Sequence, residues 1–145
     1  MKSLFILMVV FISLFLIGCK NDKPAVAQVP IPANYHTPTS YANLIRIAGF
    51  EKYAQISEDI IDKQGVILVQ PPTLPENYNA YAFIPKRSIW LNTPMFVRYP
   101  TIQEQAAIFL HELVHIASQE QTHNGLWWAD VDKFEKYWST HPLPN

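Results

Sequence analysis

Residues 101–118 read TIQEQAAIFLHELVHIAS, and this stretch decides how the chain folds. Thr101 and Glu104 match a capping box, in which each side chain satisfies a backbone N–H at the start of a helix. No proline or glycine follows until Gly125. With about 100° of rotation per residue, the apolar side chains form one stripe, made up of Ile102, Ala106, Phe109, Leu110, Leu113 and Ala117. The pattern predicts an amphipathic helix that packs this stripe against a core.

Two histidines share another face of this predicted helix. His111 and His115 fall nearly opposite the apolar stripe, so we expect them to lie outside the core. They begin and end an H-E-x-x-H motif. Residues four positions apart lie on the same helical face, where two imidazoles can bind one metal ion. Two solvated surface histidines are the alternative interpretation of the same pair.

Glu112 lies next to the first histidine of the motif but points about 100° away from it. From there its carboxylate can reach a metal-bound water without binding the metal itself. Zinc lowers the pKa of such a water to about 7, and the carboxylate can then take its proton. The motif therefore predicts a Zn²⁺ site with His111 and His115 as ligands and Glu112 as the general base.

A catalytic zinc normally takes three protein ligands and keeps a fourth position for water. Cys19 is the single cysteine of the chain, so the third ligand must be a His, Asp or Glu. His123 is the leading candidate. On a continuous helix, which rises about 1.5 Å per residue, it would lie too far from His115 to share a metal. It can bind only if the helix ends near residues 118–121 and the chain turns back.

From His111 to the aromatic pair Trp127-Trp128, the chain resembles the SprT-like and related small zincin metallopeptidases. Seven residues separate the H-E-x-x-H motif from His123, and Gly125 follows before the aromatic pair. The resemblance covers about residues 80–140. It implies that His123, at the start of the following helix, is the third ligand. It also implies a strand hairpin before the active helix, whose edge strand binds the substrate backbone as an added strand.

The chain departs from this family around the third ligand. The family commonly has glycines on both sides of that histidine, whereas His123 lies between Thr122 and Asn124. A rival ligand is Glu135, twenty positions after His115, a spacing similar to that of thermolysin-like gluzincins. The usual Asn before that Glu and Asp after it are missing here. We therefore favour His123 and keep Glu135 as the alternative.

The remaining patterns predict an α+β domain. Residues 41–64 have helical periodicity, with Gly49 as a break and Gly65 as an end. Short apolar runs predict strands, and a last amphipathic pattern predicts a closing helix; these segments are 66–69, 81–84, 88–92 and 125–139. We expect a small zincin-like domain, in which a short β-sheet packs on the active-site helix between flanking helices.

Residues 1–18 have the pattern of an export signal. Leu4 to Ile17 is almost unbroken apolar sequence, too short for a comfortable transmembrane helix. It ends in Leu16-Ile17-Gly18-Cys19, which resembles the bacterial lipobox. The resemblance implies that Cys19 is acylated and that the preceding peptide is removed. An ordinary signal peptide or an uncleaved anchor is the alternative.

The lipobox also implies an extracytoplasmic location. In a Gram-negative host, Lys20 after the acylated cysteine indicates the outer membrane. Residues 19–40 are polar and proline-rich, and predict a tether that holds domain 41–145 off the membrane; an arm packed along the domain is the alternative. A formal net charge of −1 without a basic run excludes nucleic-acid binding as an expected function.

The combined expectation is a lipid-anchored zinc metallopeptidase that hydrolyses peptide or protein substrates in the cell envelope. Two alternatives remain open: a non-catalytic zinc-binding scaffold, and a zinc hydrolase of a non-peptide envelope substrate. The sequence does not assign the residue that stabilises the oxyanion of the reaction. Tyr99 and Tyr137 are candidates, and a packing role is the favoured alternative for both.

Overall fold

A computed structural model of the chain describes residues 28–123 and 128–144, with the side chain of Trp128 left aside. The predicted signal segment 1–18, the predicted lipidation site Cys19 and the first part of the predicted tether lie outside the described residues. So do residues 124–127. Within the described ranges, no helix combines the length and the apolar character needed to cross a bilayer.

Two helices form where one helical pattern runs through residues 41–64. Helix α1 spans Pro38–Ile47 and helix α2 spans Glu51–Asp62. The break predicted at Gly49 is confirmed, since this residue has a φ of 90°. A side chain would strain the backbone in that conformation, whereas glycine adopts it readily. The break lets α1 and α2 pack against each other.

The last residues of the predicted tether 19–40 belong to the first helix of the structure. Helix α1 already begins at Pro38, and the chain just before it packs on the domain. The Tyr35 ring lies 5.4 Å from the ring of Phe96, and the Gln105 side-chain amide donates to the Asn34 carbonyl oxygen at 2.8 Å. These contacts match the alternative of a packed arm, because apolar and polar groups near residue 35 both find partners in the core.

The sheet of the described residues has three strands: β1 (Val66–Val69), β2 (Ala80–Phe83) and β3 (Ser88–Asn92). Their spatial order is β1-β3-β2. Strand β3 runs parallel to β1 and antiparallel to β2, so β2 and β3 form the predicted hairpin. Arg87 closes the turn between them in a left-handed conformation, with a φ of 48°. Strand β2 begins one residue earlier than predicted and forms an edge of the sheet.

A short helix α3 (Met95–Arg98) leads to the long helix α4 (Ile102–Ser118), and helix α5 spans Trp128–Thr140. The predicted capping box of α4 is confirmed in both directions. The Glu104 backbone N–H donates to Thr101 Oγ1 at 3.3 Å, and the Thr101 backbone N–H donates to Glu104 Oε2 at 3.1 Å. These bonds fix where α4 begins, nine positions before the first histidine of the H-E-x-x-H motif.

Helix α4 lies at the centre of the domain, in contact with α1, α2, α5, β2 and β3. Its predicted apolar stripe is confirmed at its centre, where four side chains are fully buried: Ala106, Phe109, Leu110 and Leu113. Burial extends beyond the stripe because other elements cover further faces of the helix. The observed architecture is therefore α+β, as predicted, with a small mixed sheet and a central helix that carries the motif.

Candidate metal centre

Helix α4 directs the two histidines of its motif towards the same point. The Nε2 atoms of His111 and His115 lie 3.1 Å apart, and their ring centroids lie 4.8 Å apart. The spacing of four residues produces this convergence, because it places the two side chains one turn apart on one face. The predicted pairing of these two residues is thus present in the structure.

Helix α4 ends within the range 118–121 that allows His123 to reach the other two histidines. Helix α4 stops at Ser118, and Gln119 adopts a left-handed conformation with a φ of 64°. The chain then reverses and places His123 Nε2 3.0 Å from His111 Nε2. The candidate ligand atoms of His111, His115 and His123 all lie within 4.8 Å of one another. These three imidazoles form a group that can hold a metal ion.

The prediction that His115 lies outside the core is wrong. Its side chain is buried, with 3% of its surface exposed. A helical pattern accounts only for the neighbours that a residue has on its own helix. In the structure the segment after α4 turns back over this position, and the His115 ring packs against its backbone at Glu120. His111, in contrast, is only partly buried.

A backbone carbonyl fixes the tautomer of His115. Its Nδ1 lies 2.7 Å from the carbonyl oxygen of Glu120. A carbonyl oxygen only accepts hydrogen bonds, so Nδ1 must carry the proton. In the neutral ring, Nε2 is then the nitrogen with a lone pair, and this is the atom that faces the other two histidines. Such a bond to the second ring nitrogen is the usual way in which proteins orient a histidine that binds a metal.

The environment keeps the histidines in the form that binds metals. Burial, which is the largest cause, and the neighbouring His115 and His123 together lower the pKa of His111 to about 4. Burial also lowers the pKa of His115, although its bond to the Glu120 carbonyl opposes this shift. Both rings are therefore neutral at pH 7, and neutral imidazole is the ligand form of histidine.

The distances suit a small divalent ion. Zinc binds imidazole nitrogen at about 2.0–2.1 Å in a tetrahedral arrangement, which separates two ligand nitrogens by roughly 3.3–3.4 Å. The two Nε2 separations of 3.0 and 3.1 Å are close to that spacing. An all-imidazole set without thiolate suits zinc, and also copper, nickel or iron. The residues present therefore fit the metal that the motif predicts.

Glu112 is part of the same region but not of the ligand group. Its side chain is 7% exposed, and burial raises the pKa of its carboxyl group to about 8. A hydrogen bond with the backbone of Ala82 opposes the increase. Ala82 belongs to the edge strand β2, so the carboxyl group of the motif lies between the helix and that strand.

A cleft of about 500 Å³ opens at this centre. One part of its wall is formed by His111 and Glu112 of the motif and by His123. Another part belongs to the edge strand and the residue before it, through Ala80 and Asn79. Two of the three candidate metal ligands, the buried carboxyl group and a strand edge thus line one cleft.

The structure separates the rival candidates. Glu135 lies on the wall of the cleft but not in the group of three nitrogens, so the described arrangement favours His123 as the third ligand. Tyr99 also lines the cleft. Tyr137 instead stacks on His141, with ring centroids 4.4 Å apart, and does not line the cleft.

Glu120 and Gln121 were not identified as residues of the site from the sequence. Their contacts depend on the chain reversal after α4, and no sequence pattern indicates such contacts.

Comparison with protein-family models, with curated proteins and with solved structures gives no match. A function for the chain must therefore be inferred from its own residues.

Proposed function

We propose that this protein is a zinc metallopeptidase of the zincin type, which hydrolyses peptide bonds in proteins of the cell envelope. One observation carries the proposal: a group of three imidazoles has a separate buried carboxyl group beside it, and two of the imidazoles, those of His111 and His123, line one cleft with that carboxyl group. The nitrogens belong to His111, His115 and His123, and the carboxyl group belongs to Glu112. This division of residues into metal ligands and a general base is what hydrolysis at a metal requires.

A zinc ion held by the three histidines would acidify water and polarise the carbonyl group of a substrate. Glu112 would supply the proton transfers of the reaction. Its carboxylate takes a proton from the attacking water and then delivers it to the leaving amine. A nearby divalent cation favours the ionised carboxylate, because opposite charges lower the pKa of an acid. Its burial, which raises the pKa in the metal-free protein, suits the later step, in which the group must hold a proton.

Burial of Glu112 also supports an enzyme over a scaffold. Burying a carboxyl group is costly, and the hydrogen bond with the Ala82 backbone offsets only part of this cost, since the pKa of the group stays raised. The three histidines can hold a metal without it, since Glu112 is not a member of the ligand group. A non-catalytic zinc site gives no reason to keep a costly buried carboxyl group at this position.

The edge strand supports a peptide as substrate. Strand β2 pairs with β3 on one side, and Ala80 and Asn79 line the cleft. An extended peptide can add to an edge strand through main-chain hydrogen bonds, which recognise any sequence. We expect the substrate backbone to lie beside these two residues, with its scissile bond near the three histidines.

The envelope location rests on the lipobox resemblance at Cys19. We propose that the acylated cysteine anchors the protein to a membrane facing away from the cytoplasm, and to the outer membrane in a Gram-negative host. The membrane and a peptide or protein substrate are the partners that this account requires. Nucleic acid is not among them.

The proposal is tested with the chain from Lys20 onward, expressed without the signal segment. We expect about one zinc per chain by metal analysis, and cleavage of an unfolded protein such as reduced casein. A chelator should abolish cleavage, and added zinc should restore it. Bound zinc without cleavage of any protein or peptide would instead support the scaffold or a non-peptide substrate.

A further inference from the structure

The segment that carries His123 has little burial to hold it in place. Residues 119–123 are all exposed, so packing in the core does not set their position. Most of the hydrogen bonds described for this segment return to the last turn of α4. The Gln119 side-chain amide donates to the Ile116 carbonyl oxygen at 2.7 Å, and the Glu120 backbone N–H donates to Ser118 Oγ at 3.3 Å.

Gln121 makes a different connection. Its side-chain Nε2 donates to the carbonyl oxygen of Ala82 on strand β2, 39 positions earlier in the chain. Among the hydrogen bonds of the described residues, this one ties the segment to the sheet. Ala82 is fully buried, and its strand is fixed by pairing with β3. The acceptor is therefore a fixed point to which the exposed segment is attached.

Ala82 contacts both the motif on helix α4 and the segment that carries His123. The Ala82 backbone forms a hydrogen bond with Glu112, and its carbonyl oxygen accepts from Gln121, two residues before His123. The Glu120 carbonyl oxygen ties the same segment to the buried His115 ring on helix α4, whereas the Gln121 side chain ties it to the sheet. A shift of the segment away from Ala82 would change the position of His123 relative to His111, and the bond from Gln121 opposes that shift.

We infer that Gln121 is a positioning residue of the metal centre, which holds His123 at binding distance by tying its segment to the edge strand at Ala82. This inference rests on the proposed zinc site. Partners that orient a ligand from outside the coordination sphere typically change metal affinity by about 10–100-fold when they are replaced. We expect an effect of that size from loss of the Gln121 amide.

The test uses the full chain and the variant Gln121→Met, which keeps the length of the side chain and adds no charge but removes the donor. Gln119→Met is the matched control, because its amide bonds only to the adjacent helical turn. Zinc affinity is measured by competition with a chromophoric chelator. We expect the zinc Kd to rise about 10–100-fold in Gln121→Met and to change less than about threefold in Gln119→Met.

Two further measurements separate positioning from a general loss of structure. The thermal midpoint of metal-free Gln121→Met should stay within about 2 °C of the wild type, since the residue is exposed. The absorption spectrum of the Co²⁺-loaded variant should change in shape, because a displaced His123 alters the coordination. In a His123→Ala background, Gln121→Met should change the zinc Kd less than about threefold, since the ligand that it positions is gone.

The outcomes distinguish this inference from the proposed function. Wild-type zinc affinity in Gln121→Met overturns the role of Gln121 while the zinc site stands. An equal loss of affinity in the His123→Ala background also overturns it, because the effect would not pass through His123. If the wild type itself binds no zinc, the proposed metallopeptidase and the positioning role fail together.

Discussion

His123 Nε2 lies 3.0 Å from His111 Nε2, although twelve positions separate the two residues. The contact exists because α4 ends at Ser118 and Gln119 turns the chain back in a left-handed conformation. If the helix had continued to residue 123, its rise per residue would have separated the two rings by too great a distance for them to bind one metal ion. The end of α4 is therefore as important for the centre as the H-E-x-x-H motif.

This arrangement predicts the outcome of removing each rival ligand. His123→Ala should lower zinc affinity by at least about 100-fold, because it removes one of three protein ligands. Glu135→Ala should retain zinc at the wild-type level, since Glu135 lines the cleft without belonging to the group of nitrogens. Metal analysis after dialysis compares the two variants directly. Loss of zinc in Glu135→Ala alone would show that the third ligand is misassigned.

The buried carboxyl group of Glu112 predicts how stability depends on pH in the metal-free protein. Its pKa is raised from 4.5 to about 8 in the folded state, so the folded state binds its proton more tightly than the unfolded state does. The resulting stabilisation is fully present below pH 4.5 and is lost as the pH rises through 8. His111 acts in the opposite sense. Its pKa is lowered from 6.5 to about 4, so its contribution is lost as the pH falls through that range.

Urea denaturation in the presence of a chelator measures both trends. We expect the free energy of unfolding of the wild type to fall between pH 6 and pH 9, with Glu112 contributing at least about 1 kcal/mol, since one pKa unit corresponds to about 1.4 kcal/mol. Glu112→Gln, which cannot ionise, should lose this part of the decrease. Parallel curves for the two proteins would contradict the assignment of the shift to Glu112.

The two tyrosines that sequence analysis singled out should behave differently. Tyr99 lines the cleft, whereas Tyr137 stacks on His141. If a phenol hydroxyl stabilises the oxyanion, Tyr99→Phe should lower kcat by about 10²–10³-fold. Tyr137→Phe should leave kcat nearly unchanged and is the matched control. If Tyr99→Phe has the same kcat as the wild type, Tyr99 only lines the cleft and is not the hydrogen-bond donor to the oxyanion.

The proposed lipid attachment at Cys19 predicts where the protein resides. The wild type should fractionate with membranes and incorporate an acyl label. Cys19→Ala should lack the label and be released or mislocalised, because the acyl chains provide the anchor. Membrane fractionation that is unchanged in Cys19→Ala, with no label on the wild type, would contradict the lipobox interpretation.

Local signals explain which parts of the fold could be predicted from sequence. The capping box at Thr101 and Glu104, the break at Gly49 and the strand Ser88–Asn92 all depend on residues close in the chain, and all are confirmed. The parallel pairing of β1 with β3 depends on contacts more than twenty positions apart. Periodicity carries no information on such pairing, and the sheet order could not be derived from it.

The site shows the same division between local and distant contacts. The convergence of His111 and His115 follows from helical spacing. The burial of His115 does not, because the cover comes from the segment around Glu120 after the helix has ended. His123 lay between these cases: its residue type and position suggested a ligand, but only the turn at Gln119 brings it to the other two.

Glu112→Gln tests the central claim most directly, because it keeps the shape of the side chain and removes only the base. Glu112 is not among the candidate ligands, so we expect the variant to fold and to bind zinc near the wild-type level. A positioned general base contributes about 10²–10⁴-fold to rate, and proteolysis should fall by that factor. The measurement is zinc content and cleavage of reduced casein on the same samples of both proteins. Retained zinc with lost cleavage is the predicted result; cleavage at the wild-type rate by zinc-loaded Glu112→Gln would contradict the account.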